Sequence, residues 1–191
     1  MAPGLWYLRG EKRGKSVFKK QWPAFLLAFV LPLLAVFWWW GGFSSVSISK
    51  TEAGPYRYAY IDYEGPISNM RKSQRTALDK FTVAKVAAGD TISVILTDPR
   101  AASGKVRAQL GYTLADTAPV PAGMQEGRIE RRAVYAARVQ AATLLAPSKT
   151  YQALSEFLES NGKTLVMPTV ELYRPAGQVS RIGAFTLEMD R

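Results

Sequence analysis

The run Pro23-Ala-Phe-Leu-Leu-Ala-Phe-Val-Leu-Pro-Leu-Leu-Ala-Val-Phe-Trp-Trp-Trp40 carries no charge over eighteen positions. As an α-helix rising about 1.5 Å per residue it is roughly 27 Å long, close to the thickness of a bilayer's hydrocarbon core. Its Leu, Phe and Val side chains each favour the bilayer centre by about 0.3–0.6 kcal/mol, and nothing charged opposes them. Pro32 kinks such a helix without excluding it, because local readjustment re-satisfies the freed carbonyl. Trp22 at one end and Trp38, Trp39 and Trp40 at the other stand where interfacial aromatic belts form. The core helix of a soluble domain would show a polar edge, and this run has none. A cleaved signal peptide shares the basic-then-apolar order. Here, however, three bulky Trp close the run, and Gly41-Gly42-Phe43-Ser44-Ser45 is a poor small-x-small site. The run predicts a retained transmembrane signal-anchor over residues 22–43.

What flanks the anchor sets its expected orientation. Residues 1–21 form a Gly-rich tail in which Arg9, Lys12, Arg13, Lys15, Lys19 and Lys20 face a single acid, Glu11. A basic flank on the N-terminal side predicts a cytoplasmic tail and an extracytoplasmic C-terminal domain, periplasmic for a bacterial inner-membrane protein. Such a tail also suits anionic headgroups, at about 1 kcal/mol per Lys or Arg near the surface. The bilayer is therefore the first expected partner. A nucleic-acid arm is the competing reading of a basic run, and its place beside a membrane span argues against nucleic acid as a partner.

Composition narrows the chemistry further. The 191 residues include no Cys and no His. Disulfides, thiolate metal sites and a Cys nucleophile are excluded, and the commonest zinc and haem ligand is missing together with the usual general base. No metal and no cofactor is expected. Catalysis, if any, would have to run on carboxylates, Tyr, Lys, Ser or Thr.

After a polar linker over residues 44–54, which could hold a short strand, one domain is expected over 55–191. Pro55 to Tyr63 alternates as a strand, with Tyr56, Tyr58 and Tyr60 on one face. Ser68 is placed to cap a helix reaching about Val83, with Met70, Ala77, Leu78 and Phe81 along one stripe. Strands follow over Thr91–Thr97 and Val106–Leu114, then a Pro/Gly-rich connection over Asp116–Gly127. Arg132–Ala142 reads as a strand and Ser148 as the cap of a helix carrying Tyr151, Leu154, Phe157 and Leu158. Strands Val166–Tyr173 and Ser180–Glu188 close the chain. Both halves thus read β-α-β-β, and Thr91 to Pro99 aligns with Met167 to Pro175, turn proline on turn proline. The expected fold class is α+β: duplicated β-α-β-β modules sharing one antiparallel sheet, both helices on one face, and the other face free to form a groove.

The stretches Gly54-Pro55-Tyr56 to Tyr63-Glu64-Gly65-Pro66, Leu96-Thr97-Asp98-Pro99, Arg107-Ala108-Gln109-Leu110-Gly111 and Val170-Glu171-Leu172-Tyr173 resemble, in that order and spacing, the GyrI-like small-molecule-binding domains. These are the effector-binding modules of many drug-sensing regulators. The resemblance covers about residues 53–189. It implies a cleft between the modules in which an acidic side chain and aromatics hold an amphipathic, often cationic, small molecule. Two departures stand out. No helix-turn-helix segment precedes the module, and no Trp lies beyond Trp40.

Glu171 is the residue singled out. It sits mid-strand between Val170 and Leu172, and the aligned position in the first half is Ile95. Such a Glu either faces solvent or lines a pocket with a polar floor, and the resemblance favours the pocket. Met167 and Tyr173 share its face and complete an amphipathic set. Tyr56, Tyr58 and Tyr60 offer a second aromatic face, and Tyr112 is a further candidate, each with plain packing as the alternative. Three functions remain open on these residues. The first is capture of a small amphipathic ligand by a membrane-anchored domain. The second is an adaptor that binds a peptide or partner subunit, and the third is a hydrolase with Glu171 as general base and a Tyr as proton donor.

Overall fold

The computed structural model describes residues 16–100, 104–175 and 182–191, and divides into two compact units after Trp39. The first unit holds one helix, α1 (Ser16–Trp39), with Pro23 and Pro32 inside it. Its start lies upstream of the predicted residue 22 and its end short of 43. Gly41 and Gly42 explain the earlier stop, since Gly41 takes a positive φ of 74° that a continuing helix does not allow. Every residue from Trp22 to Trp39 is exposed, so the helix is apolar all round and needs an apolar medium or partner. The basic tail expected over 1–21 falls mostly outside the described residues.

The second unit is α+β. Its strands are β1 (Ser47–Ala53), β2 (Tyr56–Pro66), β3 (Thr91–Ile95), β4 (Lys105–Thr113), β5 (Gln125–Ile129), β6 (Arg132–Ala142), β7 (Thr169–Pro175) and β8 (Ile182–Asp190). Helix α2 (Met70–Ala84) follows β2 after one 3-10 turn, and α3 (Ala146–Ser160) follows β6. All eight strands form one antiparallel sheet in the order β1-β6-β8-β7-β3-β4-β2-β5. That order reads the same from either edge when the halves are exchanged, so the duplication is present as a pseudo-two-fold. The offset is 76 residues, from Tyr56 to Arg132 and from Met70 to Ala146. Val94 and Val170, separated by the same offset, face each other across the β3–β7 pair.

Two strands differ from the predicted β-α-β-β plan. The short strand that residues 44–54 could hold is present as β1, and its pairing with β6 from Ser47↔Arg138 to Ala53↔Arg132 makes the segment part of the sheet and not a linker. Likewise β5 rises from the end of the Pro/Gly-rich connection and pairs with β2. Each half therefore begins with a strand that pairs with the other half. Neither is marked by its pattern: Ser-Ile-Ser-Lys-Thr-Glu-Ala and Gln-Glu-Gly-Arg-Ile carry too few apolar residues to alternate, as edge strands often do. The chain passes from β1 to β2 at Gly54, whose φ is +86° and where a Cβ would meet the Glu130 carbonyl oxygen at 2.8 Å.

Both helices lie on one face, as expected. α2 packs on β2 and β4 through Ala77 and Phe81, with Tyr112 edge-on to Phe81 at 5.5 Å. α3 packs on β6 and β8 through Leu154 and Leu158, both fully buried, against Ala137, Val139 and Leu187. Each such Leu contributes about 1.5–3 kcal/mol by leaving water. The predicted Ser caps differ: neither helix has a side-chain cap, and Ser148 Oγ instead donates back to the Leu145 carbonyl at 3.0 Å.

Candidate functional site

Because α2 sits over β2 and β4 while α3 sits over β6 and β8, the central strands β3 and β7 have no helix above them. The gap is a cavity of about 1140 Å³. Its floor is β3 and β7, where Ser93 stands opposite Glu171 and Thr91 opposite Tyr173. Its walls are Met70 and Gln74 of α2 and Tyr151 and Ser155 of α3, with Phe185 of β8 beneath. Most of this lining is carbon, as small-molecule sites usually are.

The cleft expected between the modules is therefore on the helix side. The helix-free face, expected to form the groove, is curled inward and largely buried. Tyr56 of β2 donates a 2.7 Å hydrogen bond to Glu188 of β8 although three strands separate them. In a flat sheet at about 4.8 Å per strand they would stand roughly 19 Å apart. Tyr58, Ile92, Val94 and Val170 fill the inside of that curl. A smaller polar recess of about 420 Å³, bounded by Tyr56 and Glu188 among others, remains there.

The residues singled out from sequence thus separate. Glu171 and Tyr173 line the large cavity together. Tyr56, Tyr58 and Tyr60 lie on the opposite face, their hydroxyls taken by Glu188, Gln109 and Gln125. Tyr112 packs in the α2 core, and Met167, just before β7, packs against the α3 core and against the cluster of Ile95, Val106, Ala108 and Leu110, outside the cavity lining.

Glu171 is half-buried, and what it exposes faces the cavity, not bulk water. Burial pushes its carboxyl up to about 7, partly offset by a hydrogen bond from the Tyr151 hydroxyl, which favours the charged form. Tyr151 also shares a 2.8 Å hydrogen bond with Thr169, so its ring and hydroxyl are held from the strand below. Its own proton is retained strongly, first by burial and then by the neighbouring Glu171 charge. Among the described residues Glu171 forms no ion pair. The other charges lining the cavity are Arg71, Arg100 and Glu156, all exposed. Arg100 donates to both carboxylate oxygens of Asp98 and to Ser155 Oγ at 2.6 Å, and so ties the turn after β3 to α3 at one end of the cavity. Its hydrogen bonds hold the Asp98 carboxyl below its ordinary range.

A desolvated carboxyl with no paired cation among the described residues, beside Tyr151, Tyr173 and Phe185, can stabilise a cation that brings its own apolar surface. In the sequence Tyr151 is legible only as part of the apolar stripe of α3. Its hydroxyl partners lie twenty and eighteen residues further on, and no local pattern marks that meeting.

No family model matches this sequence, and no curated protein is similar to it. Solved structures do match. The structure of SAV2435 bound to tetraphenylphosphonium is 12% identical with a TM-score of 0.54, covering 75% of this chain and 93% of that one. The C-terminal domain of EcmrR is 12% identical at a TM-score of 0.58, covering 76% and 96%. EcmrR in its DNA complex gives 0.60 at 11% identity, covering 91% and 69%. At these identities the likeness is one of fold. The domain has the GyrI-like fold that its sequence motifs resemble.

Proposed function

We propose that this chain is a membrane-anchored binding protein that captures a small amphipathic cation in the cavity between α2 and α3, with Glu171 as its counter-charge. The observation that carries the reading is the carboxyl itself: a desolvated Glu in an apolar cavity, its affinity for a proton raised and no Lys or Arg paired with it among the described residues. Such a group is a liability in the empty protein and an asset only when a cation arrives. That SAV2435, of the same fold, binds tetraphenylphosphonium supports the ligand class. The apolar α1, with basic residues before it, supports the anchor with its N-terminus in the cytoplasm and the domain outside.

Titration of tetraphenylphosphonium and of neutral triphenylphosphine oxide into the detergent-solubilised full chain tests the site. Glu171→Gln keeps the shape and removes the charge. It is expected to weaken the cation by about 1–3 kcal/mol, the scale of a charged hydrogen bond or partly desolvated ion pair, and the neutral compound much less. Equal affinities in all four titrations would return Glu171 to a structural role. Orientation is tested separately. A phosphatase reporter fused after Arg191 is expected to be active in a bacterial host, and an inactive one beside an active cytoplasmic reporter would reverse the topology.

A further inference from the structure

The segment that leaves α1 is fastened to one particular end of the cavity. The Ala142 amide donates to the Trp40 carbonyl at 3.0 Å. The Lys149 ammonium donates to the carbonyls of Gly42, Ser44 and Gly41 at 2.5, 2.7 and 3.4 Å. Gly41 lies so close to β6 that a Cβ would meet the Gln140 carbonyl oxygen at 2.6 Å, so the approach requires glycine. All these contacts lie within the domain unit. The residues that hold this strap, 142–149, also build the cavity's end: Thr143, Leu144, Pro147 and Ser148 line it. Leu144 is 62% exposed.

We infer that the cavity opens onto the membrane surface at its Leu144 end, so that Leu144 and the first turn of α3 meet the lipid interface; this rests on the anchored reading of α1. The portal requires no particular direction of α1. Its last residue, Trp39, is bonded to Trp40, and consecutive Cα atoms are about 3.8 Å apart. Wherever the apolar helix ends at the interface, residues 142–149 end there too. One exposed Leu is ordinary on a soluble surface and would mean nothing alone. Beside a strap that ends a bilayer helix, it is an apolar side chain placed where lipid can cover it, with Phe43 of the strap itself 65% exposed. The cavity's other end lies at the opposite end of the strands: Ile67 follows Pro66, which pairs with Lys105, whereas Ala142 pairs with Ile182. Ile67 is also exposed and apolar, at 55%, and so serves as the internal control. An amphipathic cation dissolved in the bilayer would then reach Glu171 directly from the lipid side.

The chain has no cysteine, so single labels are simple to place. Val36→Cys, Leu144→Cys and Ile67→Cys, each carrying a bimane, are reconstituted as full chains in phosphatidylcholine–phosphatidylglycerol vesicles with and without nitroxide lipids. The expected result is strong quenching at 36 and 144 and several-fold weaker quenching at 67. Quenching at 36 with 144 no better than 67 would overturn the portal while leaving the anchor intact. Quenching at all three would place the whole cleft against lipid and overturn the one-ended opening. No quenching at 36 would remove the anchor, and the portal with it.

Discussion

Where the first half of the domain carries Ile95, the second carries Glu171 at the equivalent position, and where α2 carries Arg75, α3 carries Tyr151. The two halves share a strand order and an offset of 76 residues, yet the carboxylate and its hydroxyl partner come from one of them. The first half contributes Met70, Gln74, Ser93 and Ile95, which shape the cavity and add no acid of their own to it. Burial is divided unequally too. Along α3 six residues are buried, Leu154 and Leu158 among them, whereas α2 buries only Ala77 and Phe81. A duplicated scaffold forms a cleft on its axis by symmetry; directionality within that cleft requires the copies to diverge, because a symmetric pair of carboxylates would repel across it.

The exchange of β1 and β5 between halves gives the largest expected effect. A fragment beginning at Trp40 keeps both exchanged strands and should unfold cooperatively in urea. One beginning at Pro55 lacks β1 and exposes the edge of β6, with Ala53 gone from above Val134 and Ala136. It is expected to aggregate or to lose its cooperative transition. A cooperative melt at the same midpoint for both fragments would show that the halves do not depend on the exchange.

Next comes the comparison of helices. Leu154→Ala removes a fully buried side chain and should cost about 2–5 kcal/mol. Its counterpart Leu78→Ala, only partly buried, should cost less than half as much by the same denaturation assay. Equal costs would mean that the two helices bear the fold alike.

The smallest effect concerns protons. Folded Glu171 keeps its proton up to about 7, against an ordinary 4.5. The folded state therefore binds more protons between those values, and stability falls as pH rises through that window. Glu171→Gln removes this loss. At pH 8 the variant should exceed the wild type by about 1–2 kcal/mol, a figure discounted for water in the cavity, and the advantage should vanish below about pH 4.5. Tyr151→Phe should move the midpoint of the wild-type loss upward, since the carboxylate loses a donor. Arg75→Phe, the equivalent change on α2, should leave it in place. A pH-independent difference between Glu171→Gln and wild type would mean that the carboxyl is solvated.

Local pattern carried much of this protein. The α1 run, the six strands with apolar alternation and both helices were legible because each buries a face of its own, and burial leaves a period of 2 or 3.6 in the chain. Glu171 was legible for the complementary reason, as one charge interrupting an apolar strand. Strands β1 and β5 left no such trace, since edge strands are held by backbone pairing and need little apolar content.

By itself, then, the order of residues determined an apolar helix, a duplicated α+β domain and a strand-borne acid, all consequences of short-range spacing. Tertiary structure alone decided which face holds the cavity, because curl of the sheet consumes the side that carries Tyr56, Tyr58 and Tyr60. It decided that Tyr151 meets Glu171, and that Lys149 holds the carbonyls after α1. Those contacts join groups twenty or a hundred residues apart, and only the closing of the sheet brings them within a hydrogen bond.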